Sequence, residues 1–339
     1  MTMKYTNQIH NRRTFLKTLG VCAAGAVVAP TLHVLPAYAA PGMVKTSEQR
    51  MLMGTFVGVT VLASSRAHGE EAIGRAFTEV ERHIALFSRF DQSTPLSVLN
   101  QDGRLNNAPP ELIDVFTFSN TLHHSSGKRF DVTIAPVINL LERTGGKPAE
   151  TDLREALALV NGSRLRVKGS QLRLDGTGMA VTLDGVAKGY IADRTAEALR
   201  KAGVTNFLID AGGDIRTHGA ADGQLHPWRV AIEDPDKLGN HPAVLSLTSG
   251  AVATSGGYEV FFNPSKTAHH LVNPYTGISP QYIRSVSVTA PTVMQADGLA
   301  TALSLMSPRE ALHLVNSMPD HSCLILTSTG AALPSHRWA

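Results

Sequence analysis

Residues 181–193, VTLDGVAKGYIAD, constrain the fold most. An apolar run reaches Gly185 and turns into a helix-like segment bearing Lys188, Gly189 and Tyr190 where a buried helix would carry leucine. A strand-to-helix junction of this kind is a ready anion site. Free backbone N–H groups and the positive end of the helix dipole favour a phosphate, and a lysine in the first turn adds a full charge. Lys188 would serve equally well on a surface helix, its stem lying along the helix, so other segments must decide.

The first 39 residues read as an address rather than as part of the fold. Arg12-Arg13-Thr14-Phe15-Leu16-Lys17 precedes an apolar run over residues 19–29 and then Ala37-Tyr38-Ala39, the pattern of a twin-arginine export signal with an A-x-A cleavage site. That run is short for a membrane span, and no later segment reaches about 18 uninterrupted apolar residues. A soluble, periplasmic mature chain is expected. Cys22 follows Val21 rather than a small residue, so lipid attachment there is not expected. Loss of Lys4, Arg12, Arg13 and Lys17 brings 31 basic and 28 acidic residues close to balance. Without a lysine or arginine run, nothing points to nucleic acid or a membrane surface. Of the two cysteines only Cys323 lies beyond the leader, so no intramolecular disulfide is expected.

Residues 54–63 alternate as a strand, and residues 70–87 place Ile73, Phe77, Val80, Ile84 and Phe87 at helical spacing. A strand followed by a long amphipathic helix is thus expected to open the mature fold. Helices are predicted over 110–122, 151–160 and 296–306, short strands over 165–183, and further strands over 205–210, 228–232, 243–253, 284–290 and 322–327. Ser307-Pro308-Arg309-Glu310 reads as a capping box with proline at the first helical position. Strands and helices without regular alternation argue for an α+β fold with mixed or antiparallel sheets flanked by helices. Gly212-Gly213 lacks both the dinucleotide fingerprint and the Walker spacing.

Five further stretches carry polar or glycine residues that the surrounding pattern does not require: Met53-Gly54-Thr55; Ser88-Arg89-Phe90-Asp91 with Ser97 and Asn100; Phe130-Asp131-Val132-Thr133; Thr254-Ser255-Gly256-Gly257-Tyr258 leading to His269-His270-Leu271-Val272-Asn273-Pro274-Tyr275-Thr276-Gly277; and Ala296-Asp297-Gly298-Leu299-Ala300-Thr301. Asp297 and Thr301 are four apart, so on a helix they present two oxygens from one face. Such oxygens suit Mg²⁺, which keeps waters and shares its shell with phosphates; an aspartate cap and a solvent-facing threonine would leave the same pattern. His269 and His270, as strand neighbours, would face opposite ways, so at most one enters a site, and there as a base. His123-His124 at a helix end reads as favourable placement against the dipole.

In their order and spacing these stretches resemble the ApbE family of FAD:protein FMN transferases, from Met53 to the final strand. The resemblance implies one T-fold-like domain over residues 40–339 and a Mg²⁺-dependent enzyme. Such an enzyme passes FMN from FAD to a threonine or serine hydroxyl of a target protein and releases AMP. It further implies Gly185, Asp297, Ala300 and Thr301 around the metal. Met53, Phe90, Asp131, Lys188 and Val272 fall where the family contacts FAD, and His270 would be the base for the acceptor hydroxyl. The implied acceptor is a subunit of a membrane redox complex with an exported flavin domain. Hydrolysis of FAD to FMN and AMP is an alternative, as is a non-catalytic flavin-binding maturation factor.

The chain departs from the family pattern at three places. Phe90 replaces a frequent tyrosine, and Asn273 replaces the aspartate of a D-P-x-T-G turn. Thr182 stands where many members have aspartate, and the acid here is Asp184; on a strand these two positions face the same way, so Asp184 would partly stand in for it.

Overall fold

A computed structural model describes residues 42–338, so the expected leader over residues 1–39 lies outside the described residues. The described chain opens not on one strand but on a hairpin, β1 (Val44–Leu52) and β2 (Thr55–Ala63), paired from Val44↔Ala63 to Leu52↔Thr55. Its two-residue turn is Met53-Gly54, at φ 54° and 75°, the positive values that a tight hairpin with the native strand twist requires. Met53 therefore belongs to a turn rather than to the start of a strand. β1 leaves no trace in the residue pattern because VKTSEQRML is an edge strand, largely polar and without apolar alternation.

Helix α1 (Arg66–Phe87) follows, capped by Ser65, and buries Ile73, Phe77, Val80 and Phe87. Next come α2 (Pro95–Asp102), β3 (Arg104–Leu105), α3 (Pro110–Ser125), α4 (Ala135–Thr144), α5 (Glu150–Ala158), β4 (Leu165–Lys168), β5 (Gln171–Leu174) and α6 (Ala187–Lys201). The second half runs β6 (Asn206–Ala211), β7 (Ile215–His218), β8 (Trp228–Ala231), β9 (Val244–Leu247), β10 (Gly250–Gly256), β11 (Ile283–Ala290), α7 (Val293–Ser304), α8 (Pro308–Asn316), β12 (Ser322–Thr327) and β13 (Ala332–Pro334). The capping box before α8 forms as read, with Ser307 and Glu310 bonding each other's backbone.

Eight strands make one sheet in the order β1-β2-β6-β7-β10-β11-β12-β13; β3-β5-β4 and β8-β9 form two smaller ones. The pairings among the described residues are antiparallel, and with eight helices the fold is α+β. The period of two assigns the faces. Val57, Val59 and Val61 of β2, with Phe207 and Ile209 of β6, bury against Ile73 and Phe77 of α1 and Ala192, Ala196 and Leu199 of α6. Leu62 and Leu208 turn the other way, onto Trp228, Val230 and Leu245 of the small β8-β9 ribbon.

The expected strand leading into residues 181–185 is absent: β5 ends at Leu174, and residues 175–183 are irregular. The backbone of Val181 finds its partners in a side chain instead. Val181 N donates to Asn100 Oδ1 at 2.7 Å, and Asn100 Nδ2 donates to Val181 O at 2.9 Å. One half-buried amide thus supplies the two hydrogen bonds that a neighbouring strand would have given.

Candidate active site

The site lies where α6 begins, beneath the start of α7. The two helices approach so closely that a Cβ on Gly189 would come 2.5 Å from Val293 O, which is why the residue directly after the lysine carries no side chain at all. Asp193, one turn further along α6, accepts from Val293 N at 3.1 Å and Met294 N at 3.0 Å and so holds the first turn of α7 in place. These contacts fix Asp297 over the start of α6, where its Oδ2 accepts from Gly189 N at 3.0 Å. The anion seated at this helix N-terminus is therefore the protein's own carboxylate. That revises the expectation of free N–H groups awaiting a phosphate.

Lys188 is not a surface residue either. Its Nζ lies 2.5 Å from Asp214 Oδ2 and 4.0 Å from Asp297 Oδ1, so two acids face one ammonium. Burial works against the Lys188 charge, but the fields of Asp214 and Asp297 outweigh it and hold its pKa above the ordinary lysine value. Burial and the like charge of Asp297 push Asp214 well above the usual carboxylate range despite the lysine. Asp297 is raised as well, chiefly by burial, with Lys188 and the Gly189 N–H pulling it back only in part. The cluster holds one more negative than positive charge in a water-poor place.

Thr301 follows Asp297 by one helical turn, and its hydroxyl meets Ser255 Oγ of β10 at 3.3 Å. A Cβ on Gly185 would touch Thr301 Oγ1 at 3.1 Å, so Gly185 lies beside Thr301, one turn along α7 from Asp297. Ala300 is fully buried, and its carbonyl accepts from Ser304 Oγ at 2.8 Å. Among the described residues no three His, Cys, Asp or Glu side chains gather into a metal centre of their own.

His270 has its Nδ1 3.4 Å from Val260 O, and burial pushes its pKa down to about 4. His269 is buried and turned to Pro280 O at 3.0 Å. The two rings do diverge, but on a loop rather than a strand. Val272 is buried against Val137, Ile138 and Leu141, and Phe90 is 71% exposed beneath the Arg89 guanidinium at 4.4 Å.

Asp131 is turned elsewhere. Its carboxylate accepts from Thr133 N at 2.8 Å, Thr133 Oγ1 at 2.6 Å and Gly162 N at 2.8 Å, a capping role that leaves little of it for a ligand. Thr182 and Asp184 do not share a strand face as expected. Thr182 is buried, with its hydroxyl accepting from Asp184 N at 3.3 Å, while the Asp184 carboxylate is 59% exposed and pairs with Arg89 at 3.2 Å.

Two residues escaped the sequence reading. Asp214 follows the Gly212-Gly213 turn between β6 and β7, and an acid directly after two glycines at the end of a buried strand was the available signal. Glu259 adds negative field at both Lys188 and Asp214, and nothing in its surroundings in the sequence announced it.

The family model of the ApbE family matches residues 53–325. The FAD:protein FMN transferase of Vibrio cholerae is 30% identical over 299 residues, covering 80% of this chain and 85% of that one. The FAD:protein FMN transferase of Klebsiella pneumoniae is 28% identical over 292 residues, covering 82% and 83%. Among solved structures, the ApbE protein of Thermotoga maritima shares the fold with a TM-score of 0.79 at 24% identity, over 86% of this chain and 97% of that chain. With the family pattern matched from Met53 to Ile325, this chain belongs to the ApbE family.

Proposed function

We propose that the chain is an FAD:protein FMN transferase that moves FMN from FAD onto a threonine or serine hydroxyl of a target protein and releases AMP. The relatives that bear that activity's name support the reaction. The observation that carries the site is the buried excess of negative charge: Asp214 and Asp297 around Lys188, both acids raised by burial. A divalent cation relieves that excess, and Asp297, the Thr301 hydroxyl and backbone oxygen at Gly185 are the hard ligands that suit Mg²⁺. When bound there, Mg²⁺ would draw charge from the diphosphate of FAD and orient it.

The chain's own residues account for the rest. In the transfer, the acceptor oxygen bonds to the FMN phosphorus, the bond from that phosphorus to the bridging oxygen breaks, and AMP leaves with the electron pair. The acceptor's proton goes to His270. Its depressed pKa keeps the imidazole neutral at pH 7, and with Nδ1–H turned to Val260 O, the free lone pair lies on Nε2. Phe90 offers an exposed aromatic face for stacking a flavin ring.

The Arg12-Arg13 leader supports export to the periplasm, where the acceptor would be the exported flavin domain of a membrane redox complex. The test is the purified chain with FAD, Mg²⁺ and such a domain, read by mass for a covalent FMN adduct. Asp297→Ala should abolish the adduct, and full transfer by that variant would overturn the metal assignment. His270→Ala should lose the adduct yet still split FAD with water as acceptor; loss of both activities would remove the separate base role.

A further inference from the structure

We propose that Asp214 is a positioning residue for cation binding, latching the Lys188 ammonium so that it stays off Asp297. The inference rests on the reading of Asp297 and Thr301 as the cation site. Three elements bring the groups together: Lys188 from α6, Asp214 from the β6-β7 turn and Asp297 from α7. The ammonium is hydrogen-bonded to Asp214 Oδ2 and stands 4.0 Å from Asp297 Oδ1. Asp297 has spent Oδ2 on Gly189 N, and Lys188 is the cation nearest its other oxygen.

Oδ1 is therefore the oxygen that a cation would claim, and Lys188 is its nearest competitor. An ammonium seated on Oδ1 would occupy the ligand and repel a divalent ion. What prevents this is a difference in stiffness. The lysine stem has four rotatable bonds, whereas Asp214 is held rigidly. Its side chain is 2% exposed. The preceding turn has Gly212 and Gly213 at φ 70° and 92°, Asp210 Oδ1 accepts from Gly213 N at 2.8 Å, and Ala211 N donates to Asp214 O at 2.9 Å. Gly212 also lies against Thr55, the first residue after the Met53-Gly54 turn. A fixed carboxylate therefore decides where a mobile ammonium rests, and it holds the ammonium in hydrogen-bond contact with Asp214 while Asp297 Oδ1 stays 4.0 Å away.

The test measures Mn²⁺ binding to the full-length chain without FAD, by the loss of the free-ion electron paramagnetic resonance signal. Asp214→Asn keeps shape but drops the charge, so Lys188 moves onto Asp297 and affinity should fall by about tenfold or more, the range for residues that support metal ligands. The double variant Lys188→Met/Asp214→Asn has neither latch nor competitor, and its affinity should return to within about threefold of the wild type. Wild-type affinity in Asp214→Asn would overturn the latch, as would a double variant as weak as the single one, because then Asp214 supports the site in another way. Melting curves establish that each variant is folded. Should Asp214→Asn fail to fold, the double variant alone decides, since a tenfold loss there contradicts the proposal. Absence of binding by the wild type would remove the cation site itself, a different failure from that of the latch.

Discussion

Two buried aspartates, Asp131 and Asp297, occupy opposite electrostatic situations in the same domain. Asp131 accepts three hydrogen bonds from Thr133 and Gly162 and lies 3.5 Å from His123 Nδ1. Asp297 accepts one, from Gly189, and shares Lys188, its one nearby cation among the described residues, with Asp214. Burial costs a carboxylate its hydration in both places, but only the first recovers it from the protein. The lesson is that burial alone does not mark a functional acid; burial without a full set of partners does. Asp131 spends its charge on the fold, and Asp297 holds its charge available for something that is not protein.

Exchanging charge for neutrality at each position is the strongest way to break this comparison. Asp131→Ala removes three hydrogen bonds and leaves two backbone N–H groups unpaired. It should cost about 2–4 kcal/mol of stability, with transfer per folded molecule largely kept. Asp297→Asn removes an unfavourable buried charge and keeps an acceptor for Gly189. It should leave the metal-free chain as stable or gain up to about 1 kcal/mol, the usual exchange at a functional site. Denaturant melts without divalent ions read both. If Asp297→Asn proves the more destabilising of the two, the contrast fails.

The same contrast explains what the sequence could show. The convergence of Gly185, Asp297 and Thr301 was legible because a local period of four does most of the work, and the family pattern supplied the rest. Hairpin β1-β2 was not, since an exposed edge strand has no apolar face to leave a trace. The irregular approach to Gly185 was hidden for another reason: Asn100, some eighty positions earlier, replaces the strand partner of Val181. The family resemblance sets Asp131 among the FAD contacts, and a polar residue before an apolar run looks alike in sequence whether it caps or binds. Only the directions of Thr133 N and Gly162 N separate the two uses, and direction is a property of the folded backbone. Asp214 was missed because its partner Lys188 is 26 residues away.

Stability against pH sharpens the comparison at a smaller scale. Burial raises the folded-state pKa of Asp297 above the ordinary 3.8. The sign is that of a raised acid: its favourable contribution is fully present below the unfolded pKa and is lost as pH rises through the folded one. His270 acts the other way. Its folded value of about 4 lies below the ordinary 6.5, so its contribution is present above 6.5 and is lost as pH falls toward 4. The difference between wild type and Asp297→Asn isolates the first effect. Without divalent ions, the wild type should gain on the variant as pH falls from neutral toward the ordinary carboxylate range. Saturating Mg²⁺ should remove that gain at neutral pH, because a bound cation holds the carboxylate ionised. A pH-independent difference would mean that Asp297 is already neutralised by the protein, as Asp131 is matched by its donors.

Asp184 should give the smallest effect and falls between the two cases. Its carboxylate is 59% exposed and already engaged by Arg89, which also bonds Glu142 at 2.9 Å and Asn139 at 3.0 Å. Asp184→Asn should change stability by less than about 1 kcal/mol, as exposed pairs do. Arg89 keeps its other partners, and a negative charge near the bound diphosphate disappears. The KM for FAD should therefore fall by about twofold at low salt, and the change should vanish near 1 M salt, where screening is short-ranged. An increase in KM of tenfold or more would reverse the assignment. Asp184 would then hold the nucleotide in place of the carboxylate missing at Thr182, and would belong with Asp297 among acids whose charge is kept for a ligand.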